Sequence, residues 1–468
     1  MSEIGAPAGL LDRAIRRIAN VWREMGADVA REDDESIEAQ MRACLAGRGG
    51  EVSARNRAAK LAESYLRLDE EGRYEFFITL ASFDLDPEAV AKYFEELQAA
   101  ADPAGQAAAR ARLRRALEPP RLKLLTQFAT IPDGMKFLVD LRAKLRELME
   151  DDTQLAPLEP DLRGLLANWF DVGFLELRRI DWSSPAVLLE KLAGYEAVHE
   201  VRSWRDLKNR LDSDRRCYAF FHPRMPAEPL IFVEVALVKG LADNVQRLLD
   251  PKAPMMDLRE ADTAIFYSIS NCQPGLIGIS FGNFLIKHVV DLLSDEFRNM
   301  KTFATLSPVP GFRRWLDAKV AEPDARLLSD EEAASLRTAA PAGAPVAESG
   351  EAALVSILNH RGWWREPPMR RAAEPVLLRL CARYLLIESR GGRKALDPVA
   401  HFHLTNGARL ERINMLGDTS EKGVKEGATL MVNYLYDPAK IEECHEAYVG
   451  EGRRNASATV RKLARGWT

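Results

Sequence analysis

The stretch SISNCQPGLIGISFGNFLIK, residues 268–287, decides how the chain is read. It closes a run of β-branched and aromatic residues, TAIFYSIS (263–270), which ends as a strand near Ser270. Gly275, Gly278 and Gly282 punctuate the loop after that strand, and GNFLIKHVVDLLSDEF (282–297) then has the spacing of an amphipathic helix carried by Leu285, Val289 and Leu292. Strand, glycine loop and helix N-terminus form a geometry suited to phosphate: glycines let main-chain N–H groups approach the oxygens, and the helix dipole favours an anion. The stretch is neither a Walker loop nor a dinucleotide fingerprint, since it lacks Gly-Lys-Ser/Thr and its glycine spacing differs. An ordinary turn between strand and helix also fits these residues.

Working outward, CYAFFHP (217–223), PLIFVEVALV (229–238), FATLS (303–307) and TLMVNYLY (429–436) read as strands bounded by turn residues. EAALVSILN and EPVLLRLCARYLLI read as helices between them. Alternation of this kind predicts an α/β layer, or an α+β fold with a mixed sheet. The first third is different. Leu11, Ile15, Ile18, Trp22 and Met25 share one helical face, as do Leu61, Tyr65 and Leu68. Asp86-Pro87 is an N-cap with proline at the first helical position, continued by Val90, Phe94 and Leu97. Asp133-Gly134 opens another helix with Leu138, Leu141, Leu145 and Leu148 inward. The expected organisation is an all-helical domain over 1–168 and a mixed α/β domain over 169–468, with TAAPAGAPVAESG (338–350) as a flexible, exposed insertion.

Length and composition fit two soluble globular domains: 468 residues, 47% hydrophobic and 29% charged. A net charge of -5 makes nucleic acid a poor partner, because phosphate backbones select a basic field. Five scattered cysteines, Cys44, Cys217, Cys272, Cys381 and Cys444, have no metal-site or redox spacing and read as reduced thiols. No apolar run is long enough to span a membrane. The N-terminal segment has no signal-peptide core and carries Glu3 and Asp12, and ARGWT is no sorting tripeptide, so the cytoplasm is the expected location.

Two further segments hold candidate chemistry. In ATLSPVPGFRRWL (304–316), Ser307 ends a strand, while Pro308 and Pro310 lock φ and Gly311 permits a sharp turn. A rigid turn capping the next helix accounts for the same pattern, and no G-x-S-x-G elbow is present. In DPVAHFHLTNGARLERIN (397–414), His401 and His403 lie two apart, which on a strand puts both on one face. That would be half a metal site, but no nearby carboxylate or third histidine completes it, so no metal is expected. Thr405-Asn406-Gly407-Ala408 carries a strong turn signal.

Taken together, FYSISNCQPGLIGISFGNFLIKHVVDLL, TLSPVPGF, HFHLTNGARLERIN and LMVNYLY resemble the malonyl-CoA decarboxylase family, as does WFDVGFLELRRIDWSSPAVLLEKLAGYEAVHEVRSWRDLKNRL. The resemblance runs from about 160 to 440. It implies a helical oligomerisation domain, assembly as a homodimer or homotetramer, and a catalytic domain of the GNAT acyltransferase type. It also implies conversion of malonyl-CoA to acetyl-CoA and carbon dioxide without a metal or organic cofactor. Carried onto this sequence, the catalytic serine and histidine fall on Ser307 and His403, and a tyrosine supporting the histidine on Tyr436. The acyl-CoA loop falls on Ile277, Gly278, Ile279, Ser280, Phe281, Gly282 and Asn283. Ser280 stands where animal relatives are acidic. Lys287, Arg313 and Arg314 are candidates for the adenosine phosphate, with a solvated basic face as the plainer account of them, and Cys272 lies beside the loop. Two other functions fit the same fold: an acyl-CoA-dependent N-acyltransferase, and a malonyl-CoA-binding sensor without turnover.

Overall fold

The computed structural model describes residues 36–46, 50–150, 152–279, 282–322, 326–341 and 349–465. The helix expected around Leu11 to Met25, the loop residues Ser280 and Phe281, and most of the expected insertion lie outside them. The insertion's described ends are helical or adjoin helix, at Ala339 and Gly350.

The chain begins with helices α1 (Ile37–Ala46), α2 (Glu51–Arg67), α3 (Glu70–Ser82), α4 (Pro87–Ala99), α5 (Pro103–Ala116), α6 (Pro120–Phe128), α7 (Gly134–Leu148) and α8 (Leu158–Trp169). Their boundaries reflect local chemistry. Asp86 accepts from the Glu88 and Ala89 N–H groups with Pro87 at the first helical position, and Asp102 repeats the device before Pro103. In α7 the expected stripe is inward, with Leu138, Leu141 and Leu145 fully buried.

Then come β1 (Glu176–Ile180), α9 (Ala186–Tyr195), α10 (Trp204–Arg210), β2 (Arg215–His222), β3 (Met225–Val238), α11 (Val245–Leu248), β4 (Thr263–Asn271), α12 (Gly282–Glu296), β5 (Thr302–Thr305), β6 (Ser307–Pro308) and α13 (Phe312–Val320). The last third holds α14 (Asp330–Ala339), α15 (Gly350–Asn359), α16 (Pro367–Leu386), β7 (Ser389–Arg390), β8 (Lys394–Ala395), α17 (Pro398–Thr405), β9 (Arg409–Asn414), α18 (Glu421–Gly427), β10 (Met431–Leu435), α19 (Ile441–Glu451) and α20 (Ala458–Ala464). The main sheet runs β1-β2-β3-β4-β5-β10-β6, with β9 on the other edge of β10. Only β4 and β5 pair in parallel, so the sheet is mixed and the fold α+β.

Helical part and sheet share one core: Phe137 and Leu138 belong to the same apolar cluster as Tyr218, Phe220 and Val233. The other sheet face buries smaller clusters around Phe221 and Phe232, and around Ile265 and Met431. Helix α12 differs from the sequence reading in one turn. Leu293 is fully buried while Leu292 is 43% exposed, so the apolar stripe drifts by one residue, as 3.6 residues per turn requires.

Candidate active site

β5 and β6 are one strand broken at Leu306. The Leu306 N–H still reaches Phe266 O at 3.0 Å, but β10 closes the gap with side chains. Asn433 Nδ2 donates to Thr305 O at 2.7 Å, and the Tyr434 N–H donates to Thr305 Oγ1 at 3.1 Å instead of to a main-chain carbonyl. Beyond the break Ser307 pairs with Val432. Irregularities of this kind re-aim a side chain next to a functional site.

His403 arrives from a different element than its pattern suggested. Residues 398–405 form helix α17, not a strand, because Asp397 caps the Ala400 N–H at 2.8 Å and Pro398 sits at the first helical position. The Asn-Gly signal ends this helix: Gly407 takes φ +79°, and a Cβ there would lie 2.2 Å from Ile441 O. Two residues apart on a helix means roughly opposite faces. His401 Nδ1 accordingly meets Tyr448 OH at 2.7 Å, while His403 turns toward β6. The expectation that both histidines share a face is corrected, and among the described residues no three His, Cys, Asp or Glu side chains gather as a metal would need.

Ser307 Oγ lies 3.0 Å from His403 Nε2, and His403 Nδ1 lies 2.8 Å from Tyr436 OH. The Ser307 O–H donates to Thr305 Oγ1 at 2.8 Å, an oxygen that also receives the Tyr434 N–H. These bonds run in one direction. With its proton committed to Thr305, Ser307 accepts from His403 Nε2–H, and Nδ1 accepts the Tyr436 hydroxyl. All three side chains are buried: Ser307 is 7%, His403 3% and Tyr436 1% exposed. The imidazole stacks on the Tyr434 ring at 4.5 Å between centroids, with Phe402 edge-on. Burial alone lowers the His403 pKa to about 3 and raises that of Tyr436 well above its usual value. A tyrosine thus stands where a serine hydrolase would place a carboxylate, and the imidazole is neutral at any ordinary pH.

The glycine loop is held from the helical side. A Cβ on Gly275 would fall 1.8 Å from Val139 O of α7, so this glycine serves close packing. Fully buried Arg142, paired with Glu159 at 2.6 Å, donates to Gly275 O at 2.5 Å, and Arg163 donates to Gly278 O at 3.2 Å. Ile277 (52%) and Gly278 are exposed and Ile279 is half-buried; Gly282 and Asn283 begin α12. The loop comes after the end of β4 and Ser307 after the end of β5, neighbouring parallel strands, so both lie at one end of the sheet. Lys287 is engaged by Glu442 at 2.5 Å and Arg313 by Asp317 at 2.9 Å, which leaves both tied to protein partners. Cys272 is buried, and burial pushes its thiol well above the usual range.

Residues 173–467 match the malonyl-CoA decarboxylase C-terminal domain, and residues 83–170 match the malonyl-CoA decarboxylase N-terminal domain. The chain belongs to the malonyl-CoA decarboxylase family. It is 38% identical over 363 residues to the mitochondrial malonyl-CoA decarboxylase of Mus musculus, covering 75% of this chain and 72% of that protein. It is 37% identical over 355 residues to that of Anser anser anser, covering 75% and 70%. The crystal structure of malonyl-CoA decarboxylase from Rhodopseudomonas palustris superposes with a TM-score of 0.82 at 40% identity, over 91% of this chain and 98% of that one. The Agrobacterium vitis structure gives 0.81 at 39% identity, over 91% and 99%.

Within this member of the malonyl-CoA decarboxylase family, three residues around the pair escaped the sequence reading. Thr305 and Tyr434 read as strand filler, and only the break at Leu306 gives them their roles. Asp397 had a signal, since Asp-Pro before an apolar pattern marks a helix start. It is fully buried, accepts from Tyr384 OH at 3.2 Å and from the Gly311 N–H, and so ties the turn after Ser307 to the helix that carries His403. Burial raises its pKa to about 6 against those hydrogen bonds.

Proposed function

We propose that this chain decarboxylates malonyl-CoA to acetyl-CoA and carbon dioxide at the Ser307–His403–Tyr436 cluster. As a malonyl-CoA decarboxylase family member it is a carboxy-lyase. The observation that carries the site assignment is the buried His403 ring, its pKa lowered by burial, with Nε2 3.0 Å from Ser307 Oγ, Nδ1 2.8 Å from Tyr436 OH and no carboxylate on either nitrogen. Such an imidazole is a poor base for activating serine toward acyl transfer, which needs a pKa near working pH. It is well suited as a donor, because charge that develops in the transition state can be met without an ion pair.

When the bond to the malonyl carboxylate breaks, its electron pair passes into the thioester as an enolate and carbon dioxide leaves. Ser307 steadies the imidazole, or turns its hydroxyl from Thr305 to the ligand and holds the malonyl carboxylate out of the thioester plane. His403 delivers its Nε2 proton to the new acetyl carbon as the Tyr436 hydroxyl proton passes to Nδ1, and a solvent proton returns to the tyrosine oxygen. The thioester is its own electron sink, so the reading needs neither metal nor organic cofactor. The loop Ile277–Asn283 receives the CoA pyrophosphate at the start of α12, which fixes one end of a long ligand and orients the other. A GNAT-type arrangement for 169–468 is supported by the parallel β4–β5 pair, with this loop and helix between its strands.

The helical domain over 1–168 serves assembly into a homodimer or homotetramer. In support, α4 buries none of its residues and leaves Phe94 50% exposed. All five cysteines are free, which suits the reducing cytoplasm, and among the described residues no helix is long and apolar enough to cross a membrane.

Incubating purified protein with malonyl-CoA alone tests the function. Acetyl-CoA and carbon dioxide are expected in equal amounts. Consumption only when an amine is supplied would replace this reading with N-acyl transfer, and binding without turnover would replace it with a sensor.

A further inference from the structure

At the far end of the last helices, a cavity of about 570 Å3 is lined by Arg393, Arg454, Arg461 and Arg465 and by no carboxylate among the described residues. It opens between the C-terminal end of α16, the β7–β8 hairpin, the end of α19 and α20. We propose that it binds the phosphate groups of a nucleotide-sized anion.

Four guanidiniums converging in a chain of net charge -5 repel one another unless an anion joins them. The neighbouring acids are already engaged: Glu388 pairs with Arg383 at 2.9 Å and Glu451 with Arg453 at 3.5 Å. Among the described residues, no carboxylate lies within ion-pair distance of Arg393, Arg461 or Arg465, and all three are exposed. Arg454 forms the floor. It is half-buried and held by the main-chain carbonyls of Leu385 (3.2 Å), Glu388 (2.8 Å) and Lys394 (3.3 Å), and burial lowers its pKa. The planar fork of arginine matches phosphate oxygens two at a time. Leu386 and the 38%-exposed Ile387 add an apolar wall for the ligand's body. The volume lies within the range of about 300–1,000 Å3 typical of small-molecule sites. A single concave site on an acidic protein favours a small phosphorylated compound over a nucleic acid or a membrane surface.

The same chemistry has two sources: a free phosphorylated compound, or the nucleotide end of a CoA thioester. The inference does not rest on the decarboxylase reading, and its test reads binding first. Calorimetric titration of the full chain with inorganic pyrophosphate and with ADP compares wild type with Arg461→Glu and Arg393→Ser. Both positions are exposed and hold no main-chain group, whereas Arg454 would be a poor choice because the hairpin hangs on it. Wild type is expected to bind both probes, and each variant to bind them about tenfold or more weakly. An unchanged KM for malonyl-CoA in the variants then assigns the site to a free compound, and a KM raised by the same factor assigns it to CoA's own nucleotide end. Absence of binding to wild type at about 10 mM probe, which corresponds to less than about 3 kcal/mol of affinity, overturns the inference. So does equal binding by wild type and both variants, which would place the probes elsewhere, for instance at the loop before α12.

Discussion

Thr305→Val isolates what the strand break contributes to His403. Valine keeps the branched shape of a side chain that is fully buried, and removes the one oxygen that receives both the Ser307 hydroxyl (2.8 Å) and the Tyr434 N–H (3.1 Å). The loss acts in two ways. The Tyr434 N–H is left buried without an acceptor, which costs about 1–3 kcal/mol of stability. The Ser307 hydroxyl, no longer committed, is free to donate to His403 Nε2 across 3.0 Å, which moves the imidazole proton to Nδ1 and toward Tyr436. The donor then points away from the substrate, so kcat should fall by about 10² or more, the scale of a positioned acid. KM should change little, because Thr305 lies on the strand side of the pair and not on the loop before α12. Acetyl-CoA formation measured at saturating malonyl-CoA gives kcat, and nitrogen NMR of the histidine reports which ring nitrogen carries the proton. Thr305→Ser restores the oxygen and should restore both readings. If Thr305→Val turns over within about threefold of wild type, or if its histidine keeps the proton on Nε2, then Thr305 does not position the pair.

Three other outcomes are expected. His403→Asn should keep CoA affinity and lose about 10² or more in turnover, and normal steady-state turnover would remove His403 from the chemistry. Ser307→Ala should be impaired while intact-protein mass spectrometry during turnover of the wild type finds no acyl adduct; an acetyl or malonyl mass on Ser307 would overturn its positioning role. Asp397 has its pKa raised from 3.8 to about 6 by burial, so its contribution to stability is fully present below about pH 4 and is lost as pH rises through 6, amounting to about 3 kcal/mol. Asp397→Asn should therefore gain on wild type by about that amount between pH 4 and pH 7 in urea unfolding, and a pH-independent difference would show that the carboxylate is not held in a costly ionised state.

How much of this was legible beforehand depends on the range over which each signal acts. Strands β2, β3, β4 and β10 announce themselves because their residues are apolar on both faces, as a sheet covered on each side demands. β1 does not: Glu176, Arg178 and Arg179 make it an edge strand with charged side chains, which is how an edge avoids further pairing but also how it hides. From sequence Gly275 is one of three loop glycines that either phosphate or an ordinary turn would explain, yet Val139 and Arg142, more than a hundred residues upstream, make it a packing glycine. No local pattern carries that contact.

The helix that bears His403 shows what a wrong local assignment does to a chemical argument. Read as a strand, residues 401 and 403 share a face and raise the question of a metal. Read as a helix capped by Asp397 and closed at Gly407, they divide: one goes to Tyr448 and the surface, the other to Ser307. The caps at both ends were present in the sequence as Asp-Pro and Asn-Gly, but each also serves a turn, and only the length between them, eight residues of helix, selects the cap reading. Asp397 then does two things with one carboxylate. It starts this helix and binds the turn after Ser307, so one buried group links the two elements that bring Ser307 and His403, 96 residues apart, together.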